Sequence, residues 1–186
     1  MGCRVMDVQT SQTIYKASHI FGIRLDEITE PPTITHEQQQ LVEERLAGGY
    51  RVGVSDNLMH DARYYLKSGG HREAIVLAYT AVEARASGLI RSGLQSLGYN
   101  DSRIENILRD INTYLRMDAL LKLTTGFSLR LDAPDLWKRF QSFRNKRNRI
   151  VHEGESADFA QAQRHICTAV AIMQKLTSLE SSVGTT

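Results

Sequence analysis

Cysteine is scarce in this chain: two in 186 residues, Cys3 and Cys167, far apart and in no ligand spacing. A disulfide framework and a cysteine zinc site are thereby excluded, and a reducing cytoplasm is the expected location. No run approaches the roughly 18 apolar residues of a membrane span. The opening stretch, Met1 to Asp7, lacks the apolar core of a signal peptide. Met6 stands where a myristoylation signal needs Ser or Thr. The catalytic strings are missing as well: no Gly-rich loop followed by Lys-Ser/Thr, no His-Glu-x-x-His, no Cys-x-x-Cys, no Gly-x-Ser-x-Gly. These absences argue against a P-loop hydrolase, a zinc peptidase and a serine hydrolase. No metal or other cofactor is expected.

What is present is helix. With 41% hydrophobic and 24% charged residues, the composition is that of a globular chain with a real core. Nothing from 55 to 180 has strand periodicity. Ser55 caps a helix to about Lys67 that turns Leu58, Ala62, Tyr65 and Leu66 inward. The most apolar helix spans about 71–97. Its small residues (Ala74, Ala78, Ala81, Ala84, Ala86, Gly88) admit a close neighbour and place it centrally. Asp101 or Ser102 opens a third helix, with Ile104, Ile107, Leu108, Ile111, Leu115, Leu120, Leu121 and Leu123 at helical spacing. A bend is expected near Arg116 to Asp118 and an end by Gly126. A loop from Phe127 leads to Pro134, which opens a basic helix ending at Gly154. Ser156 starts the last helix, to about Leu179. The fold class is all-α, a bundle of about five helices over 54–180 with a tail at 181–186. An extension, 1–53, precedes it. There, Thr13 to Tyr15 and Ile20 to Leu25 fit either a strand pair or a loose helix, and Pro31-Pro32 ends either one. A polar helix at 35–47 follows, with Thr35 and Gln38 as a capping box, Leu41, Val42 and Leu46 as its few apolar residues, and Gly48-Gly49 as its stop.

The net charge is only +2, but it is uneven: Lys138, Arg139, Arg144, Lys146, Arg147 and Arg149 lie together with no acidic residue among them. A solvated helix face and a polyanion contact both fit such a run. Leu136, Phe140, Phe143, Ile150 and Val151 share one face of the helix. The slot between Phe143 and Ile150 falls on Arg147. A guanidinium placed there requires a partner or a use. Asn145, Asn148 and His152, at i, i+3 and i+7, form a polar strip. Arginine holds phosphate and stabilises charge developing on it, and histidine moves protons near neutral pH. The pair suits cleavage of an RNA phosphodiester by the RNA's own 2′-hydroxyl. As a bare string Arg-x4-His means little, since 17 arginines and 6 histidines give about 0.5 chance occurrences in a chain of this length. Placement is what carries weight. Five residues also put the two side chains about 140° apart around the helix, so two antiparallel copies make a better cleft than one.

Arg147-Asn-Arg-Ile-Val-His152 resembles the Arg-polar-x3-His motif of the HEPN superfamily (higher eukaryotes and prokaryotes nucleotide-binding), near the end of the penultimate helix as in that family. Ala78-Tyr-Thr-Ala-Val-Glu83 is similar to the family's central helix. The resemblance covers about 55–180. It implies a compact helical homodimer and a metal-independent endoribonuclease, of the kind found as toxins or effectors in toxin–antitoxin and anti-phage defence. Arg147 and His152 are then the catalytic pair, and Asn148 the polar residue after the arginine. Asn145 and Glu83 are supporting residues, and Arg144, Lys146 and Arg149 contact RNA. An antitoxin or a defence-complex protein is a further expected partner, with helix 35–47 as a docking element; no membrane is involved. Some members of the superfamily have lost activity, which leaves a non-catalytic binding or assembly module as the alternative.

Glu83 shares a helix face with Val76, Tyr79, Ala86 and Ile90. A part-buried carboxylate there seeks a cation, and Arg147, Arg144, Arg85 and Arg72 are the candidates. His165 is expected to be a part-buried, hydrogen-bonded histidine near the cleft, Trp137 a core or dimer anchor, and Tyr64 and Tyr65 packing residues.

Overall fold

The computed structural model describes residues 35–47 and 53–183, and among them every regular element is helical. None of these helices is long and apolar enough to cross a membrane. The chain divides into two units, Met1–Asp56 and Asn57–Thr186. In the first, α1 is His36–Ala47. Gln39 and Gln40 donate to Glu43 and Glu44 one turn on, at 3.1 and 3.4 Å, as expected for a polar helix. The expectations for Thr13 to Pro32, Gly48-Gly49, Cys3 and the packing of Leu41, Val42 and Leu46 lie outside the described residues.

Next come α2 (Val54–Lys67), α3 (His71–Ser96), α4 (Asp101–Asp110) and α5 (Thr113–Leu115). A π turn (Arg116–Leu120) leads to α6 (Leu121–Thr125), α7 (Leu129–Asp132), α8 (Pro134–Glu153) and α9 (Phe159–Val183). Helix α3 is the centre. It packs against α9, α6 and α8, and it buries Ile75, Ala78, Tyr79, Val82, Ala86, Leu89, Ile90 and Leu94. On α2 Met59 and Ala62 are buried and Leu58 and Leu66 pack part-buried against the core, whereas Tyr65 is on the surface at 39% exposure. Tyr64 is exposed too, and the two rings meet edge to face with centroids 5.9 Å apart.

The expected helix 101–126 is broken once, at Ile111 and Asn112, and runs on through a π turn. Ile111 is extended, and Asn112 caps a new helix by accepting from the Leu115 amide at 3.0 Å. Arg116 then turns back. It donates to the carbonyls of Ile111 (2.8 Å) and Leu108, which satisfies the open end of α4. The π turn starts at this arginine, where a bend is expected. Gly126, at φ 76°, closes α6. Within the expected loop 127–134, Ser128 caps α7, accepting from the Leu131 amide at 3.1 Å and donating to Asp118 at 2.6 Å. Pro134 opens α8, and Gly154 ends it at φ 69°. Helix α9 begins at Phe159 rather than Ser156: Asp158 caps it, accepting from the Gln161 amide at 2.8 Å, while the Ser156 carbonyl, ahead of the helix, accepts from Lys146 Nζ at 2.7 Å.

The small residues of α3 do not all serve close packing. A Cβ added to Gly88 meets nothing within 4 Å, whereas one at Gly93 would lie 2.5 Å from Thr124 Cβ and 3.0 Å from the Thr124 carbonyl oxygen. Gly88→Ala therefore stabilises the chain by about 0.5–1 kcal/mol through helix propensity. Gly93→Ala gains the same propensity but destabilises on balance, by about 1–3 kcal/mol of overpacking. Chemical denaturation of the two variants gives opposite signs if α3 and α6 meet as described.

Candidate functional site

Helix α8 carries every basic candidate. Its buried stripe is Trp137, Phe140, Phe143, Lys146 and Ile150. Trp137 is a core residue, packed on Tyr114 and Phe140 with centroids 4.8 and 5.6 Å away. Val151, expected inward, is 47% exposed. The cation in the core-facing slot is Lys146, 5% exposed, and not Arg147, which is half-buried beside it. Both positions are one helical turn from Phe143, and the choice is made by a partner beyond the helix. Gly154 reverses the chain and brings Glu155 back, so that its carboxylate accepts from Lys146 Nζ at 2.9 Å and from Arg149 Nε. With the Ser156 carbonyl, Lys146 has two acceptors for its ammonium. A buried amine so held is satisfied. The two cations hold the Glu155 carboxyl below its usual range.

The other side of α8 faces α3. The Arg147 guanidinium lies over the Tyr79 ring, 5.5 Å from its centroid, and donates to Asn148 Oδ1 at 3.2 Å. Its Nε is sealed from solvent with no partner. Arg147 makes no ion pair among the described residues. Tyr79 is 2% exposed, stacked on Phe140 (5.9 Å, 10°) and met edge-on by Phe143 (5.2 Å, 87°). Burial, with the Glu83 carboxylate adding to it, pushes the Tyr79 phenol up to about 12, against the Thr113 hydroxyl and the charges of Arg144 and Arg147. The phenol thus stays neutral at physiological pH, a fixed platform for the guanidinium.

Glu83 corrects an expectation. Its carboxylate accepts from the Thr113 hydroxyl, and among the described residues it pairs with no arginine. Arg85 pairs instead with Glu180 at 2.7 Å and bonds Thr177 at 2.9 Å. The break before α5 is what sets Thr113 beside Glu83, and it is invisible to a continuous helical period.

The basic run therefore splits by helical geometry. Arg144 and Arg147 act on the Tyr79 side. Asn145, Lys146 and Arg149 line a groove of about 480 Å³ between α8 and α9, together with Ser142, Glu155, Gln161, Arg164 and His165. The expected polar strip is divided with it: Asn148 stands at Arg147 and Asn145 in the groove. His152 is exposed at the C-terminal turn of α8, with no hydrogen bond, ion pair or ring contact among the described residues. Among the described residues no hydrogen bond, ion pair or ring contact joins it to Arg147. Among the described residues no three His, Cys, Asp or Glu side chains cluster in a way that would hold a metal. Sequence reasoning missed Tyr79, Glu155 and Arg164. For Tyr79 a signal existed, since it is one helical turn from Glu83; for Glu155 and Arg164 contact depends on how the chain returns after Gly154.

His165 is 7% exposed, and its ring stacks on Phe143 (5.2 Å, 14°) without a side-chain hydrogen bond among the described residues. Burial, then the charges of Arg164, Lys146 and Arg149, press its imidazole down to about 4. Below pH ~6.5 the unfolded chain takes up a proton at this residue, which the folded chain refuses until about 4. Stability is thus fully present at neutral pH. It falls as pH drops through this window, by up to roughly 3 kcal/mol. His165→Gln flattens that part of the profile, as read from denaturation midpoints at pH 7, 6, 5 and 4.

Comparison with family models, with curated proteins and with solved structures finds no match for this chain.

Proposed function

We propose that the chain is a metal-independent endoribonuclease of the HEPN type, acting as a homodimer in the cytoplasm as the toxin or effector of a toxin–antitoxin or anti-phage system. The observation that carries this is Arg147. It is held over a neutral ring, no carboxylate neutralises it among the described residues, and it opens an intact Arg-Asn-x3-His string at the end of a basic helix. A structural arginine of the same burial would be expected to spend its charge on Glu83, and it does not. This weakens the alternative of a non-catalytic assembly module.

The chemistry follows from the residue types. His152 removes the proton from a ribose 2′-hydroxyl, and that oxygen attacks the adjacent phosphorus. The phosphorane charge is met by the Arg147 guanidinium. The 5′-oxygen leaves with a proton delivered by the His152 of the second copy, giving a 2′,3′-cyclic phosphate and a 5′-hydroxyl. The roughly 140° between Arg147 and His152 around α8 is the reason for a second copy. Purified full chain should cleave RNA in EDTA, leave cyclic-phosphate ends and elute as a dimer. Intact RNA after prolonged incubation at micromolar protein removes the proposal.

A further inference from the structure

The α8–α9 groove holds more charge than its own contacts consume. Lys146, Arg149 and Arg164 line it against the single carboxylate of Glu155. Arg164 is exposed and makes no ion pair among the described residues. Glu155 gives one oxygen to Lys146 and the other to Arg149. A carboxylate forked between two cations occupies the place that two non-bridging oxygens of a phosphate would take. It is carried on the short link after Gly154 and not on a helix, and it is only partly covered, with 36% of its side chain exposed. Ser142 and Asn145 add a hydroxyl and an amide to the wall, and neutral His165 fills the space behind them against Phe143. At about 480 Å³ the groove has room for a sugar–phosphate unit and not merely a simple ion. It is also well placed: Arg149 precedes His152 by three residues, about 4.5 Å along the helix axis.

Resting on the ribonuclease reading, we infer that this groove binds a backbone phosphate of the RNA beside the scissile one, with Arg149 and Arg164 as its clamp and Glu155 as the carboxylate that the phosphate displaces. Lys146 stays behind the clamp as a buried counter-charge, exchanging one oxyanion for another. The groove thus fixes the register of the strand, and Arg147 with His152 act on it.

The test is equilibrium binding of the full chain to an RNA oligonucleotide with 2′-fluoro sugars, which lacks the attacking hydroxyl, across a salt series. Arg164→Ala should weaken binding about 5–10-fold and lower the slope of log affinity against log salt by about 1, with the melting temperature unchanged. Glu155→Gln should tighten binding severalfold, because the internal competitor is gone. Inorganic phosphate should compete only at millimolar concentration, showing that the site is filled by a strand and not by the free ion. Unchanged affinity and salt slope in Arg164→Ala overturn the inference, as does weaker binding by folded Glu155→Gln. Competition by polyglutamate as effective as that by RNA overturns it too, in favour of an acidic protein partner. Failure of the catalytic reading looks different: a chain that binds this RNA through Arg164 yet cleaves no natural RNA keeps the groove and loses the ribonuclease. One that cleaves with the same KM after Arg164→Ala does the reverse.

Discussion

His152→Ala lowers RNA cleavage by about 10²–10⁴-fold, the usual share of a general acid or base, and leaves the melting temperature of the chain where it was. The second half follows from position. His152 is exposed and makes no hydrogen bond, ion pair or ring contact among the described residues, so its truncation falls in the surface class of about ±0.5 kcal/mol. Arg147→Ala gives a comparable loss of cleavage with a small change in stability, because two effects oppose each other. Losing the contact with Tyr79 costs about 0.5–2 kcal/mol. Removing a sealed and unpartnered Nε returns about 1–3 kcal/mol. Arg147→Lys keeps the charge but not the fork, and recovers only part of the rate. Because base and acid come from the His152 of the two copies, a mixed dimer of wild type and His152→Ala has only one of them, so adding the variant chain should suppress cleavage by the wild type. The measurements are initial rates on a defined RNA and thermal unfolding of the same samples. Wild-type cleavage by His152→Ala would leave a binding module, and unfolding of Arg147→Ala would make the arginine structural.

How far the sequence shows this depends on whether a signal is local. The bounds of α8 are local: Pro134 starts it, and Gly154 at positive φ stops it. The aromatic stripe of Phe140 and Phe143 is local as well, by its helical spacing. The identity of the buried cation is not. Positions 146 and 147 both lie one turn from Phe143, and only the return of Glu155 after Gly154 selects Lys146. Glu83 fails to find an arginine for a related reason. The apolar spacing from Ile104 to Leu123 runs straight across Asn112, and the break there is what delivers Thr113. On α3, six small residues look alike as letters, yet Gly88 among them has open space around it, and the glycine under a close neighbour is Gly93, outside that group, set by where Thr124 lies. The motif residues were legible by type and order; which of them meet each other was not, since that is decided by elements far away in sequence.

Phe143→Ala should be among the most destabilising single substitutions in α8, about 3–5 kcal/mol, and its effects should extend to both sides of the helix. The ring is fully buried and bridges the two regions, edge-on to Tyr79 at 5.2 Å and stacked on His165 at 5.2 Å. Truncation opens a cavity between α3 and α9 that these neighbours cannot fill without leaving their contacts. On the α3 side, Tyr79 loses the ring that braces it, and the guanidinium it carries is held less firmly. Cleavage therefore falls in Phe143→Ala even at temperatures where the chain is still folded. On the α9 side, His165 loses its covering ring, so the burial that presses its imidazole down to about 4 is relieved and its titration moves up towards the ordinary value. The loss of stability between pH 6.5 and 4 then shrinks, although the variant is less stable throughout. Phe143→Leu keeps most of the volume and should cost less than half as much. Denaturation curves at neutral and acid pH, with NMR titration of the His165 ring, read all three effects. A loss below about 1 kcal/mol with an unmoved His165 titration would mean that Phe143 does not join the two sides.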